Sequence, residues 1–346
     1  MKPHPVLLPF SWLYGLVVFV RNTFFDLKIF RSQSVGIPVI SVGNITAGGT
    51  GKTPIVEMIV RQLLSEKKKV AIVSRGYRRA TSGLVVVANG KHIVASPMEA
   101  GDEPYQLAKN FSEAIVIVDE QRVRGAQYAL DTFDAEVIIL DDGFQHRALH
   151  RDLDIVLIDA SASPFAMSML PAGFRREHLQ SLRRADVVVI TKVQHNENVN
   201  ELKQHIQHYT TAPIFASTFE PKEIHSFSTG AVVDVQELRK KKGISFCGIA
   251  QPKSFEQTLN RMQLSIQRHL EFSDHHQYSA LDFNAMITAY QETNAEYLIT
   301  TEKDGARLST SNEILSQMPL YVLKMHASMS DEEEWKKILF SKVNMQ

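Results

Sequence analysis

Short apolar runs alternate with helical periods along most of this chain. Val39, Ile40 and Val42 are β-branched and nearly contiguous, the pattern of a strand buried on both faces. Ile55, Met58, Ile59, Gln62 and Leu63 then repeat with a mostly apolar helical period. Val70 to Ser74, Ile115 to Val118, Val137 to Leu140, Asp154 to Asp159 and Ala185 to Lys192 read as further buried strands. Leu84 to Ala88 and His92 to Ala95, separated by Asn89-Gly90, read as a hairpin. Helices are expected from Gly101-Asp-Glu-Pro104 and around Arg122 and Arg124. This alternation from residue 37 to about 216 implies a mostly parallel sheet with helices on both faces. Residues 217–240 are polar and hold the boundary; a second, smaller α/β unit follows. The expected organisation is an N-terminal segment 1–34, a lobe 35–225, a second lobe 226–328 and a C-terminal helix 329–346.

The N-terminal segment breaks the pattern. Val6 to Val20 is dense in Leu, Val and aromatic residues, and Phe24, Phe25, Leu27, Ile29 and Phe30 continue it among charges. The uninterrupted part is shorter than the roughly 20 residues of a spanning helix. Aromatic residues with basic residues behind them suit a helix lying in a membrane interface. The alternative is a core helix packed on the first sheet.

Composition changes this picture little. The 346 residues carry no formal net charge, so bulk charge gives no argument for nucleic acid. A single cysteine, Cys247, excludes an internal disulfide framework and fits a reducing compartment. The apolar N-terminus lacks a small-residue cleavage site, so no cleavable signal peptide is expected.

The chemistry begins where the first strand meets the first long helix. Gly48, Gly49, Thr50, Gly51, Lys52 and Thr53 approach the P-loop pattern G-x-x-x-x-G-K-[ST], with Pro54 tolerated in the first helical turn. Loop amides and the helix N-terminus would face phosphate oxygens. Lys52 would reach the outer phosphates, and Thr53 would place a hydroxyl on Mg²⁺. Thr46 stands where the first glycine of the pattern belongs. Val137 to Leu140 ends in Asp141-Asp142-Gly143, the form of a Walker B strand whose carboxylate orients the hydrated metal. The fold class is therefore read as a P-loop NTPase-type three-layer α/β/α lobe with a second, smaller α/β lobe and an N-terminal apolar helix.

Other residues allow two readings. Asp102 and Glu103 either cap a helix N-terminus or bring carboxylates to the phosphates. Arg75, in Ser74-Arg-Gly-Tyr-Arg-Arg79, lies at a strand exit, where α/β sheets bind ligands, or in a solvated turn. Arg122 and Arg124 oppose a helix dipole and hint at an anionic partner. Leu170 to Glu177 is a loop with paired arginines. Asp274-His275 either tunes a proton transfer or opens a helix.

Three classes use such parts: a small-molecule or lipid kinase, a GTPase switch, and a membrane-bound partitioning-type ATPase. Thr191-Lys192-Val193-Gln194 has glutamine where a guanine-reading aspartate belongs, which counts against GTP. Ala47-Gly48 lacks the extra lysine of partitioning ATPases. The kinase class remains, and it fits a second lobe that holds an acceptor or closes over the nucleotide.

Several motifs in order then resemble the tetraacyldisaccharide 4'-kinases, the lipid A 4'-kinases of Gram-negative bacteria. They are Val39-Ile-Ser-Val-Gly-Asn-Ile-Thr46, Gly48-Gly-Thr-Gly-Lys-Thr-Pro54, Ser74-Arg-Gly-Tyr77, Gly101-Asp-Glu-Pro104 and Leu140-Asp-Asp-Gly-Phe-Gln-His146. Pro171-Ala-Gly-Phe-Arg175, Phe246-Cys-Gly-Ile-Ala-Gln-Pro252, Asp274-His275 and Thr301-Glu-Lys-Asp304 continue the series. The family lacks the first P-loop glycine, which accounts for Thr46. The resemblance implies ATP- and Mg²⁺-dependent phosphorylation of the 4'-hydroxyl of a tetraacyldisaccharide 1-phosphate. It implies a peripheral position on the cytoplasmic face of the inner membrane, with the N-terminal helix on the membrane surface. Asp102 becomes the base, His275 its partner, and Asp141 and Asp142 the Walker B acids. Glu103, Arg75, Tyr77, Arg124 and Arg175 become candidates for substrate or phosphate contact. No nucleic acid partner is expected, and a monomer is.

Overall fold

The computed structural model describes residues 5–162, 164–193, 199–308 and 318–344. Gln194, which bore on the GTPase reading, lies outside the described residues. The chain forms two compact units, residues 1–219 with 327–346, and residues 220–326.

The first unit opens with α1 (Leu8–Asp26) and continues through β1 (Val39–Asn44), α2 (Lys52–Ser65), β2 (Val70–Ser74) and β3 (Val85–Asn89). The short α3 (Pro97–Ala100), α4 (Asp102–Asn110), β4 (Ile115–Val118), α5 (Arg122–Phe133) and β5 (Val137–Asp141) come next. Then follow β6 (Leu153–Asp159), β7 (Val187–Thr191), α6 (Asn200–Gln207) and β8 (Ile214–Ser226), whose last residues enter the second unit. The strand order is β8-β7-β6-β1-β5-β2-β4-β3. Neighbours are parallel except β3, which runs antiparallel to β4. The expected hairpin is thus only partial: β3 takes β4 as its strand partner, and the return segment contributes one bridge, Ala88 to Ile93.

The strands are apolar throughout because both faces are covered. Along β5, Val137 and Ile139 face the layer that holds Ile55, Ile59 and Leu63 of α2, while Ile138 and Leu140 face Ala126 and Ala129 of α5. Each fully buried aliphatic of α2 contributes about 1.5–3 kcal/mol, which outweighs the weak intrinsic helix propensity of its β-branched residues. The C-terminal helix Glu332–Val343 packs into the same layer through Trp335, Leu339 and Val343. This is the three-layer α/β/α arrangement.

The second unit contains β9 (Val232–Val233), α7 (Val235–Arg239), β10 (Lys242–Cys247), α8 (Pro252–Arg261) and β11 (Ser265–Glu271). It continues with α9 (Ala280–Glu292), β12 (Tyr297–Thr301), α10 (Glu302–Arg307) and β13 (Leu320–Met329), which returns the chain to the first unit. β11, β10, β12 and β13 form a parallel set in that order. One face packs on Phe255 and Leu259 of α8, the other on Met286 and Ala289 of α9.

The helix α1 is not a core helix. Its buried residues are Ser11, Gly15 and Val18, a narrow seam at helical spacing. Ser11 Oγ donates to Met169 O at 2.9 Å and accepts from Ala172 N at 2.9 Å. Gly15 O lies 2.9 Å from His178 Nε2. Arg21 Nη2 and Asn22 Nδ2 each donate to the fully buried Glu177 carboxylate at 2.7 Å. The large apolar residues point the other way, with Trp12 74 % and Phe10 60 % exposed. Among the described residues no helix is long and apolar enough to cross a membrane.

Candidate active site

β1 delivers Asn44 to the start of the glycine-rich loop. Asn44 Nδ2 donates to Thr50 Oγ1 at 2.6 Å, and Thr191 Oγ1 at the end of β7 donates to Thr50 O at 2.8 Å. Two strand ends therefore fix the middle of the loop, with Gly48 and Gly49 curling between them. Thr46 pairs with Arg175 in an antiparallel bridge, and Ala47 N donates to Phe174 O at 2.6 Å. That extended pairing is why the first P-loop position needs no glycine.

Gly51 is the N-cap of α2 in a left-handed conformation, φ +80°. A side chain there would be strained, and its Cβ would stand 2.3 Å from the ring of Phe219. Lys52 and the buried Thr53 follow as the first helical residues, at the positive end of the helix dipole. Lys52 Nζ is 3.6 Å from Asp142 Oδ1.

Asp141 and Asp142 leave β5 in opposite electrostatic circumstances. Burial opposes charge on Asp142, yet Arg176 and Lys52 hold its carboxyl far below the usual range. Arg176 grips it with both nitrogens, Nη1 to Oδ2 at 2.9 Å and Nη2 to Oδ1 at 2.7 Å, and Nη2 also meets Asn44 Oδ1. Asp141 is pushed upward, first by burial and then by the charges of Glu103 and Asp142. Ser74 Oγ, at the end of β2, donates to Asp141 Oδ2 at 3.0 Å.

Glu103 reaches this group because α4 begins where it does. Gly101 caps α4 at φ +87°, and a Cβ there would come within 3.0 Å of Tyr77 O. Asp102 is thus the first helical residue and not the cap. Asp102 and Glu103 occupy the first turn of α4, which starts beside the Gly76–Tyr77 backbone, at the end of the helix dipole that favours acids.

The arginines divide. Arg122 is buried and within electrostatic reach of Arg75, Asp142 and Asp141; burial, then Arg75, lowers its proton affinity. Arg124, two residues on, points elsewhere and closes on the buried Asp119 with Nε and Nη2 at 2.7 and 2.8 Å. Arg175 is half-buried, with no hydrogen-bond partner for Nε among the described residues, while its neighbour Arg176 makes the Asp142 clamp. Tyr77 is 60 % exposed, with the Arg78 guanidinium 5.3 Å over its ring. His275 belongs to the second unit. The first unit therefore gathers Lys52, Arg122, Arg176 and Arg75 around Glu103, Asp141 and Asp142. Arg176 is an addition to the sequence candidates, and Arg122 is drawn into the cluster where the sequence had only hinted at an anionic partner. Their only sequence signals were a cation opposed to a helix dipole and an arginine pair.

His146 lies beside this cluster with the wrong sign of neighbours for a charged ring. Burial, then Arg122, Arg151 and Arg75, pull its pKa down to about 4 from 6.5. The folded chain thus binds fewer protons than the unfolded chain between those values, so this stabilisation is present above 6.5 and is lost as pH falls through 4. An NMR titration of the His146 ring is expected to show a midpoint near 4. A midpoint at the ordinary histidine value would contradict the buried, arginine-facing placement.

A family model described as tetraacyldisaccharide-1-P 4'-kinase (LpxK) matches residues 3–344. The tetraacyldisaccharide 4'-kinase of Chlorobium phaeovibrioides is 37 % identical over 345 residues, covering 96 % of each chain. The chain belongs to the tetraacyldisaccharide 4'-kinase family. Another relative of that name, from Syntrophotalea carbinolica, is 39 % identical over 305 residues, covering 88 % of this chain and 83 % of its own. The crystal structure of LpxK from Aquifex aeolicus, an "apo" form in complex with ATP, superposes with a TM-score of 0.82 at 33 % identity, covering 98 % of both chains. The kinase family and the P-loop α/β fold read from the motifs are both borne out.

Proposed function

We propose that this chain transfers the γ-phosphoryl group of ATP to the 4'-hydroxyl of a tetraacyldisaccharide 1-phosphate, yielding lipid IVA in lipid A biosynthesis. The observation that carries the proposal is the convergence of Lys52 and Arg176 on Asp142, with Asp141 and Glu103 alongside, at the mouth of the glycine-rich loop. Phosphoryl transfer asks the protein for positioning and for charge where charge develops. The loop amides from Gly48 to Thr53 cradle the β- and γ-phosphates, and Lys52 neutralises their outer oxygens.

A magnesium ion fits the residues present. Burial and then the charges of Glu103 and Asp142 raise the Asp141 pKa, and a cation among these acids would relieve the repulsive part. Among the described residues no three such side chains form an all-protein metal cage. Magnesium on a nucleotide needs only one or two carboxylates and the phosphates themselves. Thr53, Asp141 and Asp142 are assigned to hold it, directly or through water. When bound, it would offset the charge of the phosphate groups.

Asp102 is assigned to accept the proton of the sugar hydroxyl, and His275 to support it. Glu103, Arg75, Tyr77 and Arg175 are assigned to substrate or phosphate contact, and Arg122 joins them. Arg124 stands lower in this group because Asp119 already occupies it.

The substrate is a lipid, so the site must meet a membrane. The outward apolar face of α1 supports a peripheral position on the membrane, assigned to the cytoplasmic face of the inner membrane. Phe10, Leu13 and Val17 are exposed on one helical face. Glutamate at all three should sharply reduce sedimentation with anionic vesicles and leave the melting temperature within a few degrees, because each of these side chains is more than half exposed. Undiminished vesicle binding would contradict the assignment.

The reaction is tested with γ-labelled ATP and Mg²⁺ in detergent. Label should reach the lipid only when protein and acceptor are both present. ATP hydrolysis indifferent to the acceptor, with no labelled lipid, would instead support a partitioning-type ATPase.

A further inference from the structure

We propose that Arg307 is a positioning residue that sets the tautomer and ring orientation of His275 for phosphoryl transfer. The proposal rests on the reading that His275 supports the base. It comes from a buried network around α10. Thr301 ends β12 and caps α10, accepting from Asp304 N at 3.2 Å and donating Oγ1 to Asp304 Oδ2 at 2.6 Å. Asp304 is fully buried, and its Oδ1 accepts from Gly248 N at 3.1 Å, Tyr278 OH at 2.9 Å and Arg307 Nη1 at 3.0 Å. Arg307 Nη1 also donates to Gly248 O at 2.7 Å, and its side chain is only 1 % exposed. A guanidinium held this way has little freedom to turn.

Its other nitrogen, Nη2, lies 3.2 Å from His275 Nδ1. The arrangement resolves a choice that heavy-atom positions leave open. Arginine is a permanent cation with donors only. Nδ1 must therefore accept, and a neutral His275 must carry its proton on Nε2. The opposite tautomer would set N–H against N–H. The backbone reinforces the placement: His275 N donates to Gly248 O at 3.1 Å, and the residue is left-handed, φ +60°. Gly248 O thus receives both Arg307 and His275. The chain fixes Nε2 as the donor, which is the atom a carboxylate partner requires.

The tautomer is read by nitrogen NMR on the full-length, histidine-labelled protein in detergent, with the His275 signal assigned by its loss in His275→Gln. The expected result is a protonated Nε2 and an unprotonated, hydrogen-bonded Nδ1. A protonated Nδ1 would overturn the proposal, and this needs no Arg307 variant to fold. Kinetically, Arg307→Lys should lower kcat about 10-fold, a part of the ~10²–10⁴-fold that a positioned proton acceptor supplies, with the KM for ATP unchanged. On a His275→Gln background the same substitution should have no further effect on kcat, since both act through one ring. An equal loss on both backgrounds would show a general structural role and overturn the proposal. Wild-type turnover by His275→Gln would overturn the underlying reading as well. Impaired His275→Gln with unimpaired Arg307→Lys would overturn the Arg307 proposal alone.

Discussion

Lys52→Ala will depress turnover by on the order of 10³-fold, the scale of a cation acting on a transferring phosphoryl group. The fold will survive the change. Lys52 is partly exposed and stands 3.6 Å from an aspartate that Arg176 already clamps with two hydrogen bonds. Asp142 keeps that two-fold clamp when Lys52 is gone, so a melting curve should move little. Turnover is different, because charge builds on the γ-phosphoryl oxygens and Lys52 sits on the first turn of α2 where they must lie. The measurement is kcat in detergent with saturating ATP, beside a melting curve. Turnover within about 10-fold of wild type would assign the role to another cation, with Arg122 and Arg176 next in line.

Asp102→Asn is the second large effect. It should lower kcat by ~10²–10⁴-fold, the usual contribution of a positioned general base, while ATP binds as before. The competing explanation is local. Asp102 is the first residue of α4, and an acid there favours the helix dipole. That role predicts a loss of only ~0.3–1 kcal/mol of stability and no change in kcat. The capping role proper is not available, because Gly101 holds the cap position. Isothermal titration with an ATP analogue beside single-turnover kinetics separates the two. Loss of nucleotide binding with the carboxylate would remove the support for its role as base.

The sequence was most legible where one face of an element had one neighbour. β1, β5 and α2 follow directly from apolar spacing, because the periodic apolar residues Ile55, Met58, Ile59 and Leu63 of α2 and the aliphatics of both strands are all buried. The loop of Gly48 to Thr53 was legible because few chemistries need glycines followed by lysine and threonine between a strand and a helix. Paired residues were not. Arg122 and Arg124 share a helix but sit about 200° apart on it, so one faces Asp141 and Asp142 while the other takes Asp119. Arg175 and Arg176 are neighbours in an extended segment, whose side chains alternate, and only Arg176 reaches Asp142. Adjacent identical residues carry no signal of which way each will turn. The α1 seam was hidden for another reason. Hydrophobic pattern predicts an apolar face turned inward, but here Ser11, Gly15 and Val18 make the contact. Small residues allow close approach, and a buried Glu177 holds Arg21 and Asn22 at the far end. The assignment of His275 as a partner for Asp102 came from the family motifs alone, since no spacing links residues so far apart in the chain.

The central claim is a phosphoryl group placed on one oxygen of one sugar. The decisive measurement is phosphorus–proton correlation NMR of the product made from ATP, Mg²⁺ and the tetraacyldisaccharide 1-phosphate. A new phosphate coupled to the proton at the 4' carbon is the predicted result. A phosphate on any other oxygen, or inorganic phosphate with the lipid unchanged, would contradict it.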